Sequence, residues 1–173
     1  MTLPDRTARH SLLRLLGALT LATAALAALT GCTIATPYRA GSESAPPSPD
    51  ARRVVVITHA VLDRQARAEF DRQTRRVAES LRGQPGLIGY SLRRELLGDE
   101  VWTMTEWRDE AARARFVASP IHREAMAGGA SALRSVRFAR IELPAAQLPL
   151  TWSRALELLE QHERSYGAAA EAR

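Results

Sequence analysis

The feature that most constrains the fold is the run Val54-Val55-Val56-Ile57-Thr58, which is β-branched at every position. Two substituents on each Cβ suit a pleated sheet and make a helix costly. The run is apolar throughout, so it reads as a buried strand rather than a half-exposed one. Directly after it the period changes. Asp63 can cap a helix in which Ala66, Phe70, Thr74, Val77 and Leu81 are spaced 4, 4, 3 and 4 apart, a single apolar stripe. Arg64, Arg67, Arg72, Arg75, Arg76 and Arg82 mostly lie off that stripe and face water. Gly83-Gln84-Pro85-Gly86 then stops the helix and turns the chain.

A second strand follows from Leu87 to about Leu96. Gly98-Asp99 turns it into a third, Glu100 to Trp107, and the two pair as a hairpin. In the third strand Val101, Thr103, Thr105 and Trp107 share one face, and Trp102, Met104 and Glu106 share the other. A second helix begins near Asp109 and carries Ala112, Phe116 and Val117. Ser119-Pro120 restarts a short helix, Ser as N-cap and Pro at the first helical position. It contains His122, Glu124 and Met126 and ends at Gly128-Gly129. A fourth strand runs from about Leu133 to Leu143. The order β-α-β-β-α-β predicts an α+β fold, a ferredoxin-like antiparallel sheet with helices on one face. The other face is apolar too and needs a cover. A second copy of the chain is the simplest, which implies a homodimer. A last helix from Thr151 carries the stripe Trp152, Ala155, Leu156 and Leu159 and packs on the domain or its partner.

Charge narrows the function classes. All 24 basic residues are Arg, and the net charge is +5. The Arg residues are interleaved with Asp and Glu, and no basic block with interleaved aromatics occurs, so nucleic acid is not an expected partner. The chain has a single cysteine, so no intramolecular disulfide can form.

The surroundings of that cysteine explain it. Arg6, Arg9, His10 and Arg14 precede an apolar, uncharged segment, residues 15–30, which is the n-region and h-region of a secretory signal. The segment is shorter than the roughly 20 apolar residues of a transmembrane helix. It ends in Leu29-Thr30-Gly31-Cys32, which resembles a bacterial lipobox. That resemblance implies cleavage before Cys32, a diacylglycerol on its sulfur and an acylated N-terminus. Residues 1–31 are thus expected to be a lipoprotein signal peptide. Residues 32–52, rich in Pro and Ser, follow as the lipidated Cys32 and a flexible tether. Residues 53–145 form the domain, and 146–173 a C-terminal helix and tail. Thr33, where an Asp would favour inner-membrane retention, points to the outer membrane, facing the periplasm.

Three strings together resemble the antibiotic biosynthesis monooxygenase (ABM) superfamily of dimeric α/β barrels. They are Gln84-Pro85-Gly86-Leu87-Ile88-Gly89, Thr103-Met104-Thr105-Glu106-Trp107-Arg108-Asp109-Glu110 and Phe116-Val117-Ala118-Ser119-Pro120-Ile121-His122. The superfamily holds small cofactor-free monooxygenases, haem-degrading enzymes and proteins without an assigned role, so fold alone does not fix function. The resemblance implies a cofactor-free monooxygenase with a pocket between sheet and helices. There a small aromatic or quinol-like substrate activates oxygen once deprotonated, and the protein supplies polar groups and a dry cavity.

Candidate pocket residues are His59, Tyr90, Trp107 and His122. For each there is a plainer reading: an exposed strand-end imidazole for His59, packing for Tyr90, a strand-end core residue for Trp107, and a helix-start side chain bonded to backbone or water for His122. The haem-degrading branch needs an Asn, a Trp and a His where an ungapped match puts His59 or a neighbour, Phe116 and Met126, so no haem is expected. No metal-ligand spacing, phosphate loop or nucleophile elbow is present. The alternative to an enzyme is a non-catalytic lipoprotein, ligand-binding or structural.

Overall fold

The computed structural model describes residues 32–43 and 48–166. The expected signal peptide, residues 1–31, and the Pro-rich part of the expected tether, residues 44–47, lie outside the described residues. The strands are β1 (Thr33–Ala35), β2 (Arg39–Ala40), β3 (Arg52–Leu62), β4 (Leu87–Glu95), β5 (Glu100–Trp107), β6 (Leu133–Pro144) and β7 (Arg164–Tyr166). The helices are α1 (Arg67–Leu81), α2 (Glu110–Val117), α3 (Pro120–Gly129) and α4 (Trp152–His162).

The strands form one antiparallel sheet in the order β1-β4-β5-β3-β6-β7, with β2 also on β4. β3, β4, β5 and β6 with α1, α2 and α3 give the β-α-β-β-α-β order and the ferredoxin-like arrangement read from the sequence. β3 is central, paired with β5 along Val54↔Trp107 to Val61↔Glu100 and with β6 on its other side. That position explains why it must be apolar on both faces.

Helix boundaries follow the capping residues. Asp63 accepts from Gln65 N at 2.9 Å and starts a short 3₁₀ turn that runs into α1. Asp109 caps α2 by accepting from Ala112 N at 2.7 Å, and Ser119 caps α3 ahead of Pro120. Val54, Leu81, Leu87, Tyr90, Trp107, Ala112 and Phe116 form the core on the helix side of the sheet.

The opposite face holds a second core: Val55, Ile57, Trp102, Met104 and Ala139 under Ala155, Leu158 and Leu159 of α4. The cover expected from a second copy is therefore supplied by the chain's own C-terminal helix, and the outer face is not bare. Physically, α4 brings an apolar stripe of the right width to the apolar centre of the sheet, and each buried Leu contributes about 1.5–3 kcal/mol.

The expected tether also differs. Residues 33–35 and 39–40 are strand-paired instead of free: β1 adds to β4 through Thr33↔Glu95 to Ala35↔Arg93, and β2 through Arg39↔Tyr90. Tyr38 lies over Gly89, where a Cβ would fall 2.3 Å from its ring, and packs against the outer core. Main-chain pairing along the β4 edge and this aromatic contact outweigh the local Pro content that suggested an open spacer. Among the described residues, no helix is long and apolar enough to cross a membrane.

Candidate ligand cavity

Between the sheet and α1–α3 lies a cavity of about 260 Å³. Its floor is the helix-facing side of the strands, including Val56, Thr58, Thr103 and Thr105. Phe70, Thr74, Val77 and Leu81 of α1 form one wall; these are four of the five residues of the stripe read from the sequence. Phe116 and Val117 of α2 and His122 and Met126 of α3 form another. The lining is largely apolar, with four threonines, Gln73, Ser91, Arg113 and His122 among its polar groups.

His122 is the ionisable group best placed for chemistry. It stands edge-on to Phe116, with ring centroids 5.0 Å apart, and Phe116 in turn stacks on Trp107 at 5.2 Å. Burial lowers its pKa below the ordinary imidazole value; a hydrogen bond to the Val117 carbonyl opposes this, and nearby Arg113 adds to the lowering. The imidazole is therefore neutral at pH 7. With one ring nitrogen donating to that carbonyl, the other carries a lone pair and can accept a proton.

Arg113, which the sequence reading passed over, also lines the cavity. It is fixed by a bidentate pair with Glu110, Nε to both carboxylate oxygens at 3.0 and 2.9 Å. Glu110 is held below the usual carboxylate range by the Arg113 hydrogen bonds and also by Arg140. The spacing of three between Glu110 and Arg113 on one helix face was the available signal.

Trp107 is 1% exposed and donates from Nε1 to Thr105 Oγ1 at 3.0 Å. Tyr90 is 3% exposed, with its hydroxyl 3.5 Å from the Ala78 carbonyl. Both line the cavity as packing groups. His59 does not reach it. Val56, Thr58 and Ala60 of β3 face the cavity, so the alternation turns His59 to the opposite face. There it stacks on Trp102 at 4.8 Å with the rings 7° apart, bonds Glu100 through Nε2 at 2.7 Å and accepts from Arg137 at Nδ1. Burial lowers its pKa, and Glu100 works against that. His59 is thus part of a structural cluster, and of these two candidate histidines His122 alone reaches the cavity.

Residues 53–128 match the family model described as antibiotic biosynthesis monooxygenase. The matched stretch runs from β3 into α3 and carries most of the cavity walls just described, and β6 completes the sheet. Nothing among curated protein sequences matches the chain. Among solved structures, PA3566 from Pseudomonas aeruginosa is similar at 17% identity, over 53% of this chain and 94% of that one, with a TM-score of 0.49. Rv0793 from Mycobacterium tuberculosis is similar at 23% identity, over 57% and 96%, with a TM-score of 0.47. A protein described as an antibiotic biosynthesis monooxygenase is similar at 18% identity, over 56% and 99%, with a TM-score of 0.48.

Among the described residues no group of three or more His, Cys, Asp or Glu side chains could hold a metal ion.

Proposed function

We propose that this chain is an envelope lipoprotein, anchored through Cys32, whose ABM domain admits a small phenol or quinol-like compound to the cavity and oxidises it with molecular oxygen. The observation that carries the reading is the place of His122: an imidazole set edge-on to Phe116 on the wall of a largely apolar cavity. His122 takes the phenolic proton. The phenolate, poorly solvated in the dry cavity, gives one electron to oxygen, and the superoxide formed couples with a hydrogen-bearing ring carbon ortho or para to the oxygen. The proton returns from His122 to the peroxide. Loss of the ring hydrogen as a proton with cleavage of the O–O bond releases water and leaves a quinone. One oxygen atom enters the product and the other leaves as water. The chain supplies the base, the orientation and the exclusion of water.

The test is oxygen uptake by the purified protein with simple phenols and hydroquinones, followed by isotope-labelled oxygen to count atoms in the product. His122→Gln is expected to lower kcat by about 10²–10⁴-fold, the usual contribution of a positioned base. A second reading, a carrier of hydrophobic compounds, is favoured by the scarcity of polar groups in the lining. It prevails if phenols raise the melting temperature while no oxygen is consumed. Anchoring is tested separately: Cys32→Ala should move the protein out of the membrane fraction, and a variant that stays bound shows that Cys32 is not the anchor.

A further inference from the structure

Cys32 is not carried on a slack chain. Its carbonyl accepts a 2.9 Å hydrogen bond from Leu96 N, and the next three residues pair with β4. Whatever holds residue 32 at a membrane therefore holds the β4–β5 turn there as well. That turn is apolar where it meets solvent. Leu96 is 45% exposed and Leu97 57%, and Ile34 on β1 is 49% exposed. These are three of the five large hydrophobic residues that are exposed among the described residues, so the exposed apolar surface is concentrated at this edge.

Around it the arginines are more exposed than the acids they pair with, Arg64 with Asp99 and Arg94 with Asp71. Asp99 in the turn is engaged by the Arg64 guanidinium at 2.9 and 3.0 Å, while Arg67 spends its donors on the Glu95 and Gly98 carbonyls. The Arg64 and Arg94 side chains keep 70% and 41% of their surface in solvent, beside the leucines. Leucines that can enter the acyl region next to arginines that can meet headgroups are the composition of an interfacial contact.

We propose that the edge formed by Ile34, Leu96 and Leu97, flanked by Arg64 and Arg94, seats on the lipid bilayer. The proposal rests on the reading of Cys32 as the anchor. It fixes the orientation of the domain: β1 and the β4–β5 turn lie against lipid, and the α1 C-terminus points away. A groove of about 240 Å³ beside Ile34, with Asp71, Arg75 and Arg94 on its walls, shares Phe70, Thr74, Leu92 and Val101 with the cavity. In this orientation the Ile34 end of the groove lies at the lipid-facing edge.

The test uses the full chain, lipidated during expression and reconstituted in vesicles of phosphatidylethanolamine and phosphatidylglycerol. Leu97→Cys, and Arg82→Cys beyond the far end of β4, are each labelled with a polarity-sensitive fluorophore; the lipidated sulfur of Cys32 cannot react. The expected result is a blue shift at position 97, with loss of intensity to quencher-bearing lipids, and neither effect at position 82. Aqueous spectra at both positions on protein that floats with the vesicles would overturn the proposal while leaving the anchor intact. Protein that stays in solution, with Cys32 open to labelling, would overturn the anchor and the proposal together.

Discussion

The Tyr38 hydroxyl donates a 2.5 Å hydrogen bond to the Glu106 carboxylate, joining the N-terminal segment to the outer face of β5. Glu106 is 6% exposed, and Tyr38 reaches it by lying across Gly89. Burial raises the Glu106 pKa, and the Tyr38 hydrogen bond and the charge of Arg53 only partly offset this. The Tyr38 hydroxyl is likewise held protonated, by burial first and then by Glu106. Tyr38→Phe removes the donor from a buried carboxylate and should cost about 1–3 kcal/mol in chemical denaturation. Residues 33–43 should then lose hydrogen-exchange protection before the rest of the sheet.

The sign of the Glu106 shift predicts a pH dependence. An acid whose folded pKa is raised favours the fold below its ordinary value of 4.5, and that contribution is lost as pH rises through the raised value. Glu106→Gln keeps an acceptor for Tyr38 and has no charge to bury. Relative to the parent, the variant should be more stable at pH 7 than at pH 4, as read from denaturation midpoints at the two values. A stability difference independent of pH would show that Glu106 is not the group responsible.

For His122 the shift runs the other way. Its folded pKa lies below 6.5, so the imidazole remains a base at pH values where a free histidine is largely protonated. The acid limb of kcat/KM for phenol oxidation should therefore fall below pH 6.5. His122→Gln should abolish that limb along with most of the rate. The stability that the neutral ring contributes is complete above 6.5 and is lost as pH falls from there to the folded value.

Leu159, which is 1% exposed, anchors α4 on the outer face. Leu159→Ala should cost about 2–5 kcal/mol, the range for emptying a buried leucine site. Removing residues 148–173 would uncover Val55, Ile57, Trp102, Met104 and Ala139 together. The shortened chain is expected to associate, which light scattering after gel filtration would detect. A shortened chain that stays monomeric would mean that α4 is not the cover this face needs.

Gly86 sits at φ +84°, and a Cβ there would lie 2.5 Å from the Ala112 Cβ. Gly86→Ala carries both the backbone cost and the clash, and should lose more than about 1 kcal/mol. Pairing it with Ala112→Gly should recover the part due to the clash alone, so a double-mutant comparison of unfolding free energies separates the two.

The ferredoxin-like order was legible because periods and caps agree: the α1 stripe, Asp109 and Ser119 each act in the structure as they read in the sequence. The cavity wall on α1 could be read in the same way. The face of His59 could not. β3 is apolar on both sides, so its first residues carry no alternation to show which way residue 59 points. Tyr38 was hidden for a different reason. Its partners, Gly89 and Glu106, lie more than fifty residues away, while the prolines around it suggest an open chain. Arg113 carried only a local signal, its spacing from Glu110, and nothing in that spacing placed it on a cavity.

The α4 cover has a consequence for how the protein responds to dilution. A sheet face shielded by a separate copy loses its shield as copies become scarce, because association follows mass action. Here the shield is joined to β6 by a few residues, so its effective concentration is fixed by chain length and independent of abundance. The fold around Val55 and Trp102 is as complete in a solitary molecule as in a crowd.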